Sequence, residues 1–392
     1  MINKNKDRGI TLVALVITII ILLILATISI QSLTNTGLFK NAQKAKDETQ
    51  NAAENQAKTL NEYEDELNKY ISGTVEERKD PIKEVANKVL STTDNTELQD
   101  AYGNKIVVPA GFKIVSDSTT SNATTVDKGI VIEDATSGAT AGSQFVWIPV
   151  GKIYTDTSKT ESSAKTIELN RYTFDTNGDP TPQGENVVET YFSETSSKGN
   201  TIAKNITNFK NSVTSNGGYY IGRYEARTTT PRTAKGDALT QITEKGTNPV
   251  YNYVTQIQAA EQAQNMYNSS NFTSDLMNSY AWDTATLFLQ TCGEEKYSRK
   301  TSVNNSLASR GTNSSEYTGT RDTVCNVYDM ASNLYEWTTE TSSVSNFPCV
   351  VRGGRCYDYN SNFYTSFRLY DITSDSDDIN GFRPLLFVGL NS

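Results

Sequence analysis

The chain has 392 residues, a net charge of −9 and no histidine. The acidic balance argues against a nucleic-acid-binding protein, which usually presents a basic face, and the lack of histidine excludes His-ligated zinc or iron sites and a Ser-His-Asp triad. Four cysteines are too few for a disulfide scaffold. The chain has enough cysteines for one disulfide, but the sequence does not indicate which two would pair.

The N-terminus combines a short basic segment, 1–9, with an uncharged apolar run, 10–30. Because about 20 apolar residues cross a bilayer core of ~30 Å as a helix, and basic flanks stay cytoplasmic, we expect a single-pass membrane protein with its C-terminal part extracellular. The segment ends in Lys-Asp-Arg-Gly and resembles a type IV prepilin leader, which implies cleavage between Gly9 and Ile10. Pilins carry glutamate where this chain has Ala14, so two alternatives remain open: a simple membrane anchor, or incorporation into a surface filament with pilin subunits.

A helical stalk and linker are predicted over 31–100. Apolar residues recur there at helical spacing, namely Leu60, Tyr63, Leu67 and Tyr70. Asp80 and Pro81 are typical of an N-cap and the first residue of a second helix, whose apolar face would extend to Leu90.

The remaining residues, 101–392, are predicted to form one mixed domain. Short apolar runs between turn residues indicate strands, at 106–109, 112–115, 129–132 and 145–150. Longer patterns indicate a helix over 256–266 and a capped second helix that begins near Ser274. The polar region 155–216 predicts loops or an insertion.

Four segments of this domain resemble the formylglycine-generating-enzyme (sulfatase-modifying-factor) family, in the family's order. They are 145–150, 219–225, 329–337, and the pair of frames Arg352-Gly353-Gly354 and Gly381-Phe382-Arg383. The resemblance implies a C-type-lectin-like fold. The predicted fold class is therefore α+β, with a long N-terminal transmembrane and stalk helix followed by a lectin-like domain of this type. Arg352 and Arg383 are expected to be buried and paired, since arginine is rarely buried alone.

The same resemblance speaks against catalysis. Enzymes of the family oxidise a substrate cysteine with a copper ion held by two cysteines, and those positions fall here on Asp358 and Phe363. The lone thiol of the segment, Cys356, cannot form a two-thiolate Cu(I) site. We therefore predict no catalytic residue and no enzyme, with a copper-dependent oxidase as an alternative.

The resemblance also implies a structural Ca²⁺ held by the side chains of Asp329 and Glu336 and the carbonyls of Ser332 and Leu334. Hard cations prefer oxygen ligands of this kind. The alternative is that the two carboxylates bond backbone amides of their own loop.

A stretch rich in tyrosine, asparagine and aspartate follows the first frame, and it is predicted to bind a ligand. Tyrosine offers a large amphipathic contact area, and asparagine offers adaptable hydrogen bonds, as in antibody paratopes. The predicted ligand-binding residues are Arg355, Cys356, Tyr357, Asp358, Tyr359, Asn360, Asn362, Phe363, Tyr364, Tyr370 and Asp371.

The 26 residues 355–380 share a coding property. All can be reached from an AAC codon by changing adenines, and the segment has no Lys, Glu, Gln, Met or Trp. This resembles the variable region of proteins diversified by retroelements. The sequence therefore predicts a cell-surface recognition protein with a hypervariable face and an extracellular protein or glycan ligand. Binding without diversification, a purely structural loop and a pilin-like subunit remain open.

Overall fold

A computed structural model describes residues 12–35, parts of 44–64, 80–116, 121–184, 206–301, 322–356 except 343 and 345, and 362–389. The chain divides into two compact units, Met1–Arg78 and Lys79–Ser392. The boundary lies earlier than the predicted start of the domain at residue 101, so the second unit includes residues 79–100 of the predicted stalk and linker.

Helix α1 (Leu12–Asn35) carries the apolar run of the first unit. Among the residues that the structure describes, however, no helix combines the length and apolarity that a membrane crossing requires. On this finding the transmembrane segment 10–30, the single-pass membrane location and the prepilin-like interpretation are wrong.

Two other N-terminal predictions concern residues only partly covered by the structure. The processing position Gly9–Ile10 lies outside the described residues. The described parts of 44–64 are helical, in line with the predicted stalk helix, and Leu60 and Tyr63 are exposed there.

The second unit begins with a capped helix, α2 (Pro81–Val85). The side chain of Asp80 accepts hydrogen bonds from the backbone N–H groups of Ile82 and Lys83, both at 3.1 Å. The predicted cap is therefore confirmed, but the helix ends at Val85 and does not reach Leu90. Because Ile82 is completely buried, this stretch contributes to the domain core.

The helices of the second unit are short and its strands are many. The helices after α2 are α3 (Ile206–Asn216), α4 (Gln256–Met266) and α5 (Ser279–Cys292). The strands are β1 (Thr96–Gln99), β2 (Lys105–Val108), β3 (Phe112–Val115), β4 (Val131–Asp134), β5 (Gln144–Pro149), β6 (Gly151–Tyr154), β7 (Ala164–Ile167), β8 (Tyr172–Phe174), β9 (Pro180–Pro182), β10 (Gly218–Gly222), β11 (Arg227–Thr228), β12 (Ile242–Thr243), β13 (Phe272–Leu276), β14 (Thr323–Val324), β15 (Val327–Tyr328), β16 (Tyr335–Thr341), β17 (Cys349–Arg352), β18 (Arg368–Asp371), β19 (Asn380–Phe382) and β20 (Pro384–Val388).

Two larger sheets organise these strands. A six-stranded sheet has the order β13-β20-β10-β5-β4-β3, and a four-stranded sheet has the order β18-β17-β16-β19. The remaining described strands pair into five two-stranded sheets. The predicted fold class, with its long transmembrane helix ahead of a lectin-like domain, is thus wrong. The described chain is a mixed α and β structure with several small sheets and no membrane-spanning helix.

Local sequence patterns predicted the positions of many helices and strands correctly. The strands predicted at 106–109, 112–115 and 145–150 correspond to β2, β3 and β5, and helix α4 has the predicted bounds. The helix predicted from Ser274 is wrong at its start, because Ser274 lies in β13, opposite Leu386 of β20. Helix α5 begins only after Asn278, whose side chain accepts from the backbone N–H of Ala281 at 2.9 Å.

Large aromatic side chains pack between strands and helices in the core of the second unit. Trp147 of β5 and Tyr220 of β10 pack with ring centroids 4.9 Å apart. The indole of Trp282, in α5, donates to the carbonyl of Thr365 at 2.9 Å. The indole of Trp337, in β16, donates to the carbonyl of Val254 at 2.9 Å. The buried indole N–H groups of Trp282 and Trp337 therefore have partners, whereas that of Trp147 has none among the described residues. Trp282 ties α5 to the chain just before β18.

Candidate recognition site

The first frame is a buried strand followed by two buried glycines. Every residue of β17 is buried, as are Gly353 and Gly354. Gly353 has φ +77°, and a Cβ placed on it would lie 2.6 Å from the carbonyl oxygen of Met330. A Cβ on Gly354 would lie 2.7 Å from the carbonyl oxygen of Ala331. The glycine pair thus lets the chain leave the sheet in close contact with the backbone at 330–331.

A buried ion cluster holds the start and the end of the segment together. Arg352 is completely buried and contacts Asp283 (Nη2–Oδ1, 2.5 Å) and Glu340 (Nη1–Oε2, 3.0 Å). Arg368, the first residue of β18, contacts the other carboxylate oxygens of the same two acids at 2.5 and 2.6 Å. Arg171 also contacts Glu340, at 2.9 Å. The segment 355–367 therefore begins and ends at arginines that share one pair of carboxylates.

The charges in this cluster offset the penalty of burial. Burial acts to raise the pKa of Glu340, but Arg368, Arg352 and Arg171 lower that pKa to about 2. Arg352 also donates from Nε to the carbonyl of Phe367 at 3.0 Å and from Nη2 to the carbonyl of Ser366 at 3.3 Å. The cluster consequently positions the backbone at the end of the segment as well as its start.

The second frame is closed by Arg383. Its guanidinium is completely buried and forms two contacts with Glu336, Nη2–Oε1 at 2.5 Å and Nε–Oε2 at 3.1 Å. It also donates to the carbonyls of Gly222 at 2.9 Å and Tyr328 at 2.8 Å. The expectation that Arg352 and Arg383 are buried and paired is confirmed.

One of the predicted calcium ligands, Glu336, is committed to another partner in this arrangement. Both of its carboxylate oxygens contact Arg383. Asp329 accepts from the Ser332 hydroxyl at 3.3 Å. Within the described residues no group of three or more His, Cys, Asp or Glu side chains is arranged to hold a metal ion. These residues do not fit a Ca²⁺ site without displacing Arg383, and calcium binding stays a prediction.

Asp329 is nevertheless an unusual buried carboxyl. It has φ +62° and is 1% exposed, and its Oδ2 has no hydrogen-bond partner. Burial, followed by the neighbouring charge of Asp322, raises the pKa of Asp329 to about 7. The carboxyl is therefore close to half-protonated near neutral pH.

The beginning of the predicted ligand-binding stretch is half-buried. The guanidinium of Arg355 lies 5.1 Å from the ring centroid of Tyr335. The backbone N–H of Cys356 donates to the carbonyl of Asn333 at 3.0 Å. The next four predicted ligand-binding residues, Tyr357, Asp358, Tyr359 and Asn360, lie outside the described residues.

Beyond them the segment turns partly back onto the domain. Asn362 is exposed. Phe363 is half-buried and packs against Phe367, with centroids 4.8 Å apart, and Tyr335, at 6.0 Å. The ring of Tyr364 is covered by the guanidinium of Arg299 at 3.5 Å. Phe363 and Tyr364 therefore support the segment and present only part of their surface to water.

The last part of the stretch lies on β18, at the edge of the four-stranded sheet. Tyr370 is 48% exposed, and Asp371 is half-buried. Burial, a hydrogen bond with Asp375 and the charges of Asp375 and Asp377 raise the pKa of Asp371 to about 7. Asn362 and Tyr370 are thus the predicted ligand-binding residues that the described structure leaves most open to water.

Sequence reasoning missed the residues that support the segment from elsewhere in the chain. Arg299 lies in a polar stretch after α5, and no periodicity distinguishes it. The burial of Asp283 could have been predicted, because this acid lies between Trp282 and the apolar run of α5. A buried acid at that position requires a cation partner. The sequence contains no indication of which arginine that partner is.

Comparisons with known proteins add little to this geometry. No family model matches the chain, and no curated protein matches it. Among solved structures, Treponema denticola variable protein 1 is similar at 11% sequence identity and a TM-score of 0.34, over 64% of this chain and 98% of that one. A similarity this distant establishes neither fold nor function, and membership of the formylglycine-generating-enzyme family is not shown.

Proposed function

We propose that the chain is a ligand-recognition protein, without catalytic turnover, whose binding face is formed by residues 355–371. One observation carries the proposal. The residues that frame this stretch, Arg352 to Gly354 and Gly381 to Arg383, are buried. Every described residue of 355–364, in contrast, retains contact with water.

This contrast favours a surface whose side chains can be exchanged without loss of the fold. Substitutions at exposed positions usually change stability by within about 0.5 kcal/mol, whereas loss of a buried charge partner is far more damaging. The anchoring contacts of the stretch involve Arg352, just before it, and Arg368, within it. The water-exposed residues between these two anchors can therefore vary in type while the path of the backbone is kept, whereas Thr365 and Ser366 are buried.

The residue types of the face suit a protein or glycan ligand. Tyrosine and asparagine provide contact area and hydrogen bonds at a low entropic cost. We propose further that the gene segment for 355–380 is diversified at adenines, since all 26 residues belong to the set that adenine changes of an AAC codon can reach.

A display experiment tests the recognition proposal. One library would randomise positions 357–360, 362, 364 and 370, and a matched library would randomise seven exposed positions of the turn 156–162 between β6 and β7. Both would be selected against lysozyme as an arbitrary protein probe. We expect folded binders from the first library alone. Equal yields from both libraries, or a first library that does not fold, would refute the proposal.

Diversification has a separate test. Sequencing the gene in independent isolates should show differences that concentrate in codons 355–380 and fall at adenines of a nearby template copy. Differences spread evenly over the domain would refute diversification and leave the binding proposal standing.

A further inference from the structure

Two of the four cysteines lie next to each other in the fold. Cys292 is the last residue of α5 and precedes Gly293. Cys325 lies in the tight turn between β14 and β15, where Cys325 and Asn326 have φ +45° and +64°. Both thiols are free in the structure, and both are half-buried against the core.

The packing around Gly293 brings the Cys325 thiol close to the residue that follows Cys292. A Cβ placed on Gly293 would lie 3.0 Å from the Sγ of Cys325. Cys325 also contacts the carbonyl oxygen of Asp127, at 3.6 Å. The two thiols also have the same charged neighbours. Asp127 raises and Lys128 lowers the pKa of both, and Cys292 raises the pKa of Cys325. The two cysteines therefore lie in adjoining, half-buried positions.

We propose that Cys292 and Cys325 form a reversible intramolecular disulfide that joins the C-terminal end of α5 to the β14–β15 turn. The inference is independent of the proposed recognition function. The other two cysteines are placed differently, because Cys349 is completely buried in β17 and Cys356 is the second residue of the candidate recognition segment.

The oxidant is a low-molecular-weight disulfide such as glutathione disulfide. The thiolate of one cysteine attacks a sulfur of the oxidant, forms a mixed disulfide and releases one thiolate. The second protein thiolate then attacks the protein sulfur of the mixed disulfide, which forms the Cys292–Cys325 bond and releases a second thiolate. The two protons lost by the protein end on the two released small thiols.

Burial of the two thiols also determines how fast they are oxidised. Burial raises the pKa of the Cys292 and Cys325 thiols to about 12. Roughly 1 thiol in 10⁵ is then ionised at neutral pH, so oxidation should be slow there and accelerate about tenfold for each unit of pH.

The bond would close a loop that supports the candidate recognition segment. Within that loop the carbonyl of Ser298 accepts from the Ser366 hydroxyl at 2.8 Å, and the carbonyl of Lys300 accepts from the backbone N–H of Thr365 at 3.0 Å. Arg299 covers Tyr364. A disulfide between the ends of the loop would limit how far Ser298, Arg299 and Lys300 can move away from the candidate recognition segment.

The test uses the reduced full chain, incubated with glutathione disulfide at mildly alkaline pH and analysed by intact mass and peptide mapping. We expect a loss of two hydrogens, a crosslink between the peptides that contain Cys292 and Cys325, and a thermal midpoint that rises by several degrees and reverts with dithiothreitol. Cys292→Ser and Cys325→Ser should each abolish the crosslink. The matched variant Cys356→Ser, which removes another half-buried thiol, should keep it.

Three results would overturn the proposal. They are a crosslink that involves Cys349 or Cys356 in place of this pair, stable glutathione adducts on Cys292 and Cys325 without closure, and unchanged thiols in the folded wild-type chain after prolonged oxidation. All three are read on the wild-type protein, so the test does not depend on the folding of a variant.

Discussion

Replacing Arg352 with methionine removes the cation at the centre of the buried ion cluster and keeps most of the side-chain volume. Arg352 is completely buried and bonds Asp283, Glu340 and two backbone carbonyls. In the variant Asp283 retains Arg368, and Glu340 retains Arg368 and Arg171. Two acids then face two arginines, so the remaining charges stay balanced.

The loss should therefore come mainly from hydrogen bonds. Bonds to charged groups contribute about 1.5–3 kcal/mol each and neutral bonds about 1 kcal/mol, while the methionine side chain regains part of this by apolar packing. We expect Arg352→Met to lower the free energy of unfolding by about 3–5 kcal/mol, the sum of the lost hydrogen bonds less the regained packing.

Urea unfolding followed by tryptophan fluorescence would measure the effect, because Trp147, Trp282 and Trp337 are all buried. Lys113→Met is the matched control. It removes a cation that contacts Glu133 at 3.0 Å on the partly exposed face of β3 and β4, where a pair contributes at most about 1 kcal/mol. If Arg352→Met destabilised the protein no more than this control, the buried cluster would not organise the segment.

Three further predictions concern the frame and the face. Gly353→Ala should destabilise the protein by about 2–3 kcal/mol in the same unfolding assay, because φ is +77° and the new Cβ would meet a carbonyl oxygen; Gly236→Ala, which has open space, should have little effect. The folded chain holds a proton on Asp329 up to a pKa of about 7, whereas the unfolded chain releases it near 4, so stability should fall as pH rises through this window. Asp329→Asn should remove part of that fall, on the order of a few kcal/mol, and identical pH profiles would contradict the assignment. Phe363→Ala should destabilise by about 1–2 kcal/mol because its ring packs on two others, and exposed Tyr370→Ala should change stability by less than about 0.5 kcal/mol; the reverse order would place the binding surface elsewhere.

Several features of the fold could be predicted because neighbouring residues determine them. The Asp80 cap, the bounds of α4 and the strands β2, β3 and β5 follow from short-range hydrogen bonding and periodicity. The burial of Arg352 and Arg383 could also be expected, because the residues around them are apolar or glycine and a buried arginine needs a partner. The contrast between rigid frames and a polar, aromatic stretch was likewise visible in the order of residues alone.

Other features depend on residues that are distant along the chain. Ser274 belongs to a helical pattern locally, yet it lies in a strand because β20 pairs with it more than 100 residues later. The apolar run near the N-terminus suggested a membrane span that the described helix does not support. Phe363 resembles a ligand contact by composition, but its neighbours Tyr335 and Phe367 make it partly a packing residue.

The sequence by itself determined local caps, several strands and the residue types of the candidate face, because these depend on contacts within a few positions. Only the tertiary structure decided which acids hold Arg352 and Arg383, which loop supports Tyr364, and which two of the four cysteines are neighbours. The physical reason is that a buried charge, ring or thiol is satisfied by whichever group the folded chain brings within bonding distance. Linear spacing carries no record of that partner.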